Sequence, residues 1–186
     1  MIKGGIGGGN TQTGINFEGR IDIVTYLNDS VSGYECKLNQ NSRGKSKWYD
    51  IYFENNFVAS AFKQHALYLY LESQKVDWKK ILSKKLLPDD AIYVIKENTV
   101  FIIEIKYQEV SGSVDEKLQT CGFKLRQYKK LFAPLNYEVE YIYVLSDWFR
   151  NQKYKDTLDF IIDMNCKYYF NYLPLHKIGL PIPNNA

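Results

Sequence analysis

The segment Pro88–Gln108, PDDAIYVIKENTVFIIEIKYQ, constrains this chain more than any other. Val100–Tyr107 is apolar enough for a buried strand, yet it carries Glu104 and Lys106 two residues apart. Side chains on a strand alternate between faces, so Ile102, Glu104 and Lys106 share one side while Phe101, Ile103 and Ile105 share the other. One face is therefore expected to be core and the other to carry a charged pair. Two charges on such a strand are expensive to desolvate unless they are paired, hydrated or bound to an ion.

Upstream, Ala91–Ile95 predicts a second short strand and Lys96–Thr99 a polar turn, so the two strands pair as a hairpin. That pairing carries Asp89, at the entrance of the first strand, towards Glu104 and Lys106. Two converging carboxylates with a lysine beside them make a hard-cation site, suited to Mg²⁺ with positions open to water and phosphate oxygens. Asp90 is the alternative to Asp89, because neighbouring acids at a strand start are not told apart by spacing.

Pro88-Asp89 followed by Glu104-Ile105-Lys106 resembles the PD-(D/E)xK signature of metal-dependent nucleases, a superfamily that includes many type II restriction endonucleases. The following run from Ser111 to Thr120 is similar to the loop and helix after the catalytic strand in several such enzymes, and Gly7–Gly14 with Phe17-Glu18 is similar to their opening. The tail around Leu173-Pro174-Leu175 extends the likeness. The resemblance implies a restriction-endonuclease-like α/β fold with a mixed central β-sheet flanked by helices. It also implies a Mg²⁺-dependent, sequence-specific endonuclease acting on double-stranded DNA. Asp89, Glu104 and the Ile105 carbonyl would hold one or two Mg²⁺, and Lys106 would orient or deprotonate the attacking water. Glu18 matches the first-helix glutamate that completes the acidic cluster in many of these nucleases; a solvated helix acid fits it equally. A homodimer and a cognate methyltransferase as genetic partner follow from the same likeness. A repair or recombination nuclease of the superfamily and a non-catalytic DNA-binding module are the alternatives.

Bulk properties agree with one domain: 186 residues suit a single core. The net charge of +3 does not by itself announce nucleic acid. The 16% aromatic content is read mainly as core, with base stacking as the second use. Three widely spaced cysteines, Cys36, Cys121 and Cys166, fit no zinc spacing and are expected to be reduced and buried. No stretch approaches the ~18 apolar residues of a membrane span, and the opening lacks the apolar core of a signal peptide. The expected location is the cytoplasm, with no membrane partner. Residues 1–13 are expected to form a glycine-rich, flexible arm.

A helix is predicted from Gly14 to Asn28, capped by Thr13. Gly33–Asn39 and Lys47–Glu54 predict a basic, aromatic hairpin, and Ala59–Glu72 an apolar helix. Ser113 and Glu116 form a capping box for a continuous helix to Phe132, with Val114, Leu118, Cys121, Leu125, Tyr128 and Phe132 as its core stripe. The polar stripe beside it, Lys117, Thr120, Lys124 and Gln127, is expected to contact DNA, together with Ser113 and Gln108. Tyr137–Ser146 predicts a strand beside Val100–Tyr107, reached through that helix. A last helix is expected over Asn151–Asn165 with Tyr154, Leu158, Ile161 and Ile162 inward, then a short strand over Lys167–Tyr172. Lysines before Asp89 and basic residues over 124–130 flank the acidic centre, as a phosphodiester cleaver requires and as a solvated face also would.

Overall fold

Asp22 sets the start of the first helix. Its carboxylate accepts hydrogen bonds from the Thr25 N–H and hydroxyl, both at 3.0 Å, and this cap opens α1 (Ile23–Ser30), which buries Ile23, Val24 and Leu27. In the computed structural model, which describes residues 14–16, 22–108 and 114–183, the helix expected from Gly14 therefore begins nine residues later. Gly14–Asn16 is instead a short strand, β1. Glycine and asparagine are weak helix formers, whereas Asp22 satisfies otherwise unpaired amides at the helix start. Thr13, Glu18, Ser113 and the arm over residues 1–13 lie outside the described residues.

Strands β2 (Tyr34–Leu38), β3 (Trp48–Phe53) and β4 (Asn56–Phe62) form an antiparallel meander. The expected helix from Ala59 is thus a strand as far as Phe62, and only α2 (Ala66–Ser73) is helical. Two observations explain the difference. Glu54 and Asn55, both with positive φ (47° and 65°), turn the chain back onto β3 in a tight hairpin. Ala59, Ser60, Ala61 and Phe62 are all buried, and a strand covered on both faces shows no alternation to distinguish it from a helix.

β5 (Asp90–Val94) and β6 (Thr99–Lys106) pair as the expected antiparallel hairpin, with Asp90 opposite Ile103. Two helices, α3 (Val114–Leu118) and α4 (Cys121–Phe132), then lead to β7 (Glu138–Leu145), parallel to β6 with Glu104 beside Tyr143. The single helix expected over Ser113–Phe132 is broken at Gln119 and Thr120. There the Thr120 hydroxyl and N–H both donate to the Lys117 carbonyl, at 2.7 and 3.2 Å, closing a turn in place of the helical bond.

α5 (Lys155–Asp163) crosses to β8 (Lys167–Phe170), parallel to β7. It starts four residues later than expected, after two 3₁₀ turns over Asp147–Tyr154. Tyr154 and Ile161 point inward, but Ile162 is 54% exposed, because the core stripe of this short helix passes through Leu158 and Ile161. β9 (Tyr172–Pro174) pairs with β1 and precedes a 3₁₀ turn over Leu175–Ile178.

The result is a mixed α/β architecture whose seven-stranded sheet has the order β2-β3-β4-β5-β6-β7-β8. Side chains of α2, α4 and α5 cover one face of the sheet; α1 and the turn at Leu175–Ile178 cover the other. Both faces of β6 are therefore core. Val100 and Ile102 join the first layer, Phe101 and Ile103 the second. The expectation of one core face and one charged face holds only at the end of the strand, where Glu104 and Lys106 follow Ile102. Of the cysteines, all free, Cys121 and Cys166 are buried but Cys36 is only half-buried. No helix among the described residues is long and apolar enough to cross a membrane.

Candidate functional site

The hairpin register decides which acid meets Glu104. Asp90 lies directly across from Ile103, so its side chain shares the Ile103 face and points away from Glu104. Asp89, one residue earlier, falls on the Glu104 side. Its Oδ2 accepts the Ile105 N–H at 2.8 Å and lies 3.3 Å from the Lys106 ammonium. Asp89 thus supplies the acceptor for Ile105, beyond the last backbone pair of the hairpin.

Around Lys106 three oxygens converge. Its Nζ lies 2.7 Å from Glu104 Oε2, 3.3 Å from Asp89 Oδ2 and 3.2 Å from the Ile105 carbonyl. The two carboxylate oxygens are therefore no further apart than the sum of the first two distances, 6.0 Å. Glu104 is only 5% exposed, and its second oxygen, Oε1, is held by Lys124 at 2.9 Å. Burial pushes the Glu104 pKa up, but Lys106 and then Lys124 outweigh it, and the carboxyl is held below its ordinary value. Burial acts on Lys106 in the opposite sense; Glu104 and Asp89 prevail, and its pKa is raised. The lysine is an ammonium across the neutral range.

Two tyrosines close the inner side. Tyr143, next to Glu104 on β7, donates its hydroxyl towards the Lys117 and Leu118 carbonyls, each at 3.3 Å, and so ties the sheet to the end of α3. Tyr141 is fully buried, and its hydroxyl meets no hydrogen-bond partner among the described residues. Burial first, then Glu104 and Tyr143, drive its pKa far above the ordinary phenol value. The hydroxyl stays protonated, near the Glu104 carboxylate and the Tyr143 hydroxyl but outside hydrogen-bonding geometry with either.

The expected DNA-contacting stripe is divided by the helix break. Lys117 and Thr120 are exposed and Gln127 is half-buried, but Lys124 turns into the site to pair with Glu104. Gln108 is only 8% exposed, its backbone N–H and carbonyl both bonded to the Ser146 hydroxyl at 3.2 and 3.0 Å. It packs at the end of the sheet rather than on an accessible surface. Glu18 and Ser113 are not described. Sequence reasoning missed the Lys124 contact and the two tyrosines. The only signal for the tyrosines was alternation on β7, which becomes informative once the parallel register with β6 is known.

On the other face, Asp90 is 4% exposed, with its pKa pushed up to about 7 by burial, pulled down by Lys63 and pushed up by Asp22 and Asp89. Asp22 and Lys63 form an ion pair at 2.6 Å.

The donor set around Lys106 is all oxygen, two carboxylates and a backbone carbonyl, the type a hard divalent cation takes, and ammonium groups occupy it: Lys106 holds Glu104 Oε2 and Lys124 holds Oε1. Among the described residues no three His, Cys, Asp or Glu side chains gather at one point, so the carbonyl and solvent would complete the coordination. Fold and site together define a mixed α/β protein with an acidic, lysine-bearing centre at the end of a central hairpin. No family model, no curated protein and no solved structure matches the chain.

Proposed function

We propose that this protein is a Mg²⁺-dependent DNA endonuclease of the type II restriction kind, hydrolysing phosphodiester bonds in double-stranded DNA at a specific sequence. One observation carries the proposal: the three oxygens named as metal ligands from sequence, on Asp89, Glu104 and Ile105, surround a single cation, the Lys106 ammonium, within 3.3 Å. Asp89, Glu104 and the Ile105 carbonyl would hold Mg²⁺, which supplies a Lewis acid for the phosphate and lowers the pKa of water. Lys106, kept protonated by its two carboxylates, orients the attacking water and offsets charge developing on the phosphate. Its raised pKa supports this role over that of general base. Glu104, buried and ionised, keeps its position through Lys106 and Lys124. Lys117 and Thr120, exposed at the end of α3 that Tyr143 ties to the sheet, would grip the backbone. A two-fold dimer would present two such centres to a palindrome, with a methyltransferase protecting the same sequence in the cell.

Purified protein with plasmid DNA and Mg²⁺ is expected to give discrete fragments, and Lys106→Ala to bind DNA yet leave it uncut. Intact plasmid with Mg²⁺, Mn²⁺ and Co²⁺ alike would overturn the proposal. Cuts governed by DNA structure rather than one sequence would indicate a repair or recombination nuclease. Calorimetric affinity for Ca²⁺ that survives Glu104→Gln unchanged would indicate a DNA-binding module without a metal centre.

A further inference from the structure

Beside the site, on the face covered by α4, lies a groove of about 190 Å³ between that helix and the segment 81–86. Phe123 and Gln127 form one wall; Leu82, Ser83, Lys84 and Leu86 form the other. Phe123 is 61% exposed, an unusual position for a phenylalanine, and its ring opens onto the groove. The opposite wall is fixed. Tyr68 donates its hydroxyl to the Leu86 carbonyl at 3.0 Å and accepts the Leu86 N–H at 2.7 Å, while the Lys85 ammonium sits 4.7 Å from the Tyr68 ring and 4.9 Å from that of Trp78.

Each wall is close along the chain to a residue of the candidate site. Leu86 is three residues before Asp89, at most about 11 Å along an extended chain, or some three stacked base steps. Phe123 precedes Lys124, whose ammonium is on Glu104. The lining contains no acid, and its one charged member is the exposed Lys84. An aromatic face, a side-chain amide, a hydroxyl and a lysine, with no acid among them, match a phosphate-bearing planar heterocycle better than an apolar peptide.

We propose that this groove takes one unpaired nucleotide of the bound strand, its base stacked on Phe123, its edge read by Gln127 and Ser83, and its phosphate facing Lys84. The proposal rests on the nuclease reading for the identity of the strand. It adds that the substrate carries an unpaired nucleotide beside the cleaved bond, a mismatched base turned out of the duplex or a single-stranded stretch.

The test uses the full chain in Ca²⁺ with oligonucleotides carrying 2-aminopurine: a single strand, a duplex with a central mismatch and a fully paired duplex. Wild type is expected to bind the first two and to change the fluorescence of the unpaired base. Phe123→Ala, at an exposed position, is expected to bind them about tenfold more weakly, lose the fluorescence change and bind the paired duplex within about twofold of wild type. Gln127→Ala is expected to retain the fluorescence change while altering preference among the four bases. Equal binding by wild type and Phe123→Ala, equal losses on all three DNAs, or no binding of unpaired DNA by wild type would each overturn the proposal. Cleavage assays with Mg²⁺ separate the two claims. Cutting without a Phe123 effect removes the groove and leaves the nuclease, whereas a Phe123 effect on binding without cutting leaves the groove and removes the nuclease.

Discussion

Lys124 turns out to be a counter-ion of Glu104, and removing its charge tests the electrostatic account of the site. At 2.9 Å the gross attraction between the two charges is about 6 kcal/mol in an effective dielectric of ~20. Most of that is cancelled. The Glu104 and Lys124 side chains are only 7% and 26% exposed, so both lose hydration on folding, and Lys106 still neutralises Oε2 when Lys124 is gone. A net coupling of about 2 kcal/mol is expected. Urea unfolding of wild type, Lys124→Met, Glu104→Gln and the double variant at pH 7 and low salt measures it directly. Glu104→Gln should be the most destabilising single change, by about 3 kcal/mol, because it takes the carboxylate from half-buried Lys124 and leaves Lys106 with Asp89 alone as counter-ion. Lys124→Met should cost less, and when Glu104→Gln is already in place it should cost little or become stabilising. Coupling within about 0.5 kcal/mol of zero would show that the pair contributes nothing and would refute the account.

Three further expectations follow from the same geometry. Because the folded-state pKa of Glu104 lies below its ordinary value, the stability it contributes is present at neutral pH and lost as pH falls through that lowered pKa; acid titrations of wild type and Glu104→Gln should diverge above it and converge below it, and parallel curves would contradict this. Asp90 behaves in the opposite sense: folded, it keeps its proton up to about pH 7, while the unfolded chain releases it near 3.8, so this group makes stability fall as pH rises between those values. Asp90→Asn should remove that fall and be the more stable protein at pH 8, by up to about 4 kcal/mol; urea midpoints at pH 5 and 8 that move in parallel with wild type would contradict it. Tyr141→Phe deletes a buried hydroxyl without a hydrogen-bond partner among the described residues, and should raise thermal stability by about 1 kcal/mol; a loss of similar size would show that the hydroxyl has a partner.

The hairpin and its charges were legible because the relevant signals are local. Pro88-Asp89, a four-residue polar turn and an acid-x-lysine on an apolar run place Asp89, Glu104 and Lys106 in one neighbourhood by strand geometry alone, and β7 followed from its own alternation. Other features depend on contacts between segments. β4 looked helical because both its faces are buried and its small residues show no period. The break at Thr120 depends on a threonine hydroxyl preferring a carbonyl three residues back. Lys124 lies 20 residues from Glu104, and its inward turn is decided by how α4 packs on β7. Gln108 appeared to continue the charged face of β6, but its backbone is captured by Ser146, at the end of the neighbouring strand.

The hydrogen bond from the Ile105 amide to Asp89 Oδ2 gives this aspartate two duties. A side chain replaces the main-chain acceptor in one rung of the ladder, so the carboxylate splices together the two strands it stands between. Truncating it to alanine would unfasten the hairpin mouth as well as delete a proposed Mg²⁺ ligand. Asparagine, which keeps a carbonyl oxygen for Ile105 while discarding the charge, is the substitution that separates the mortar from the chemistry.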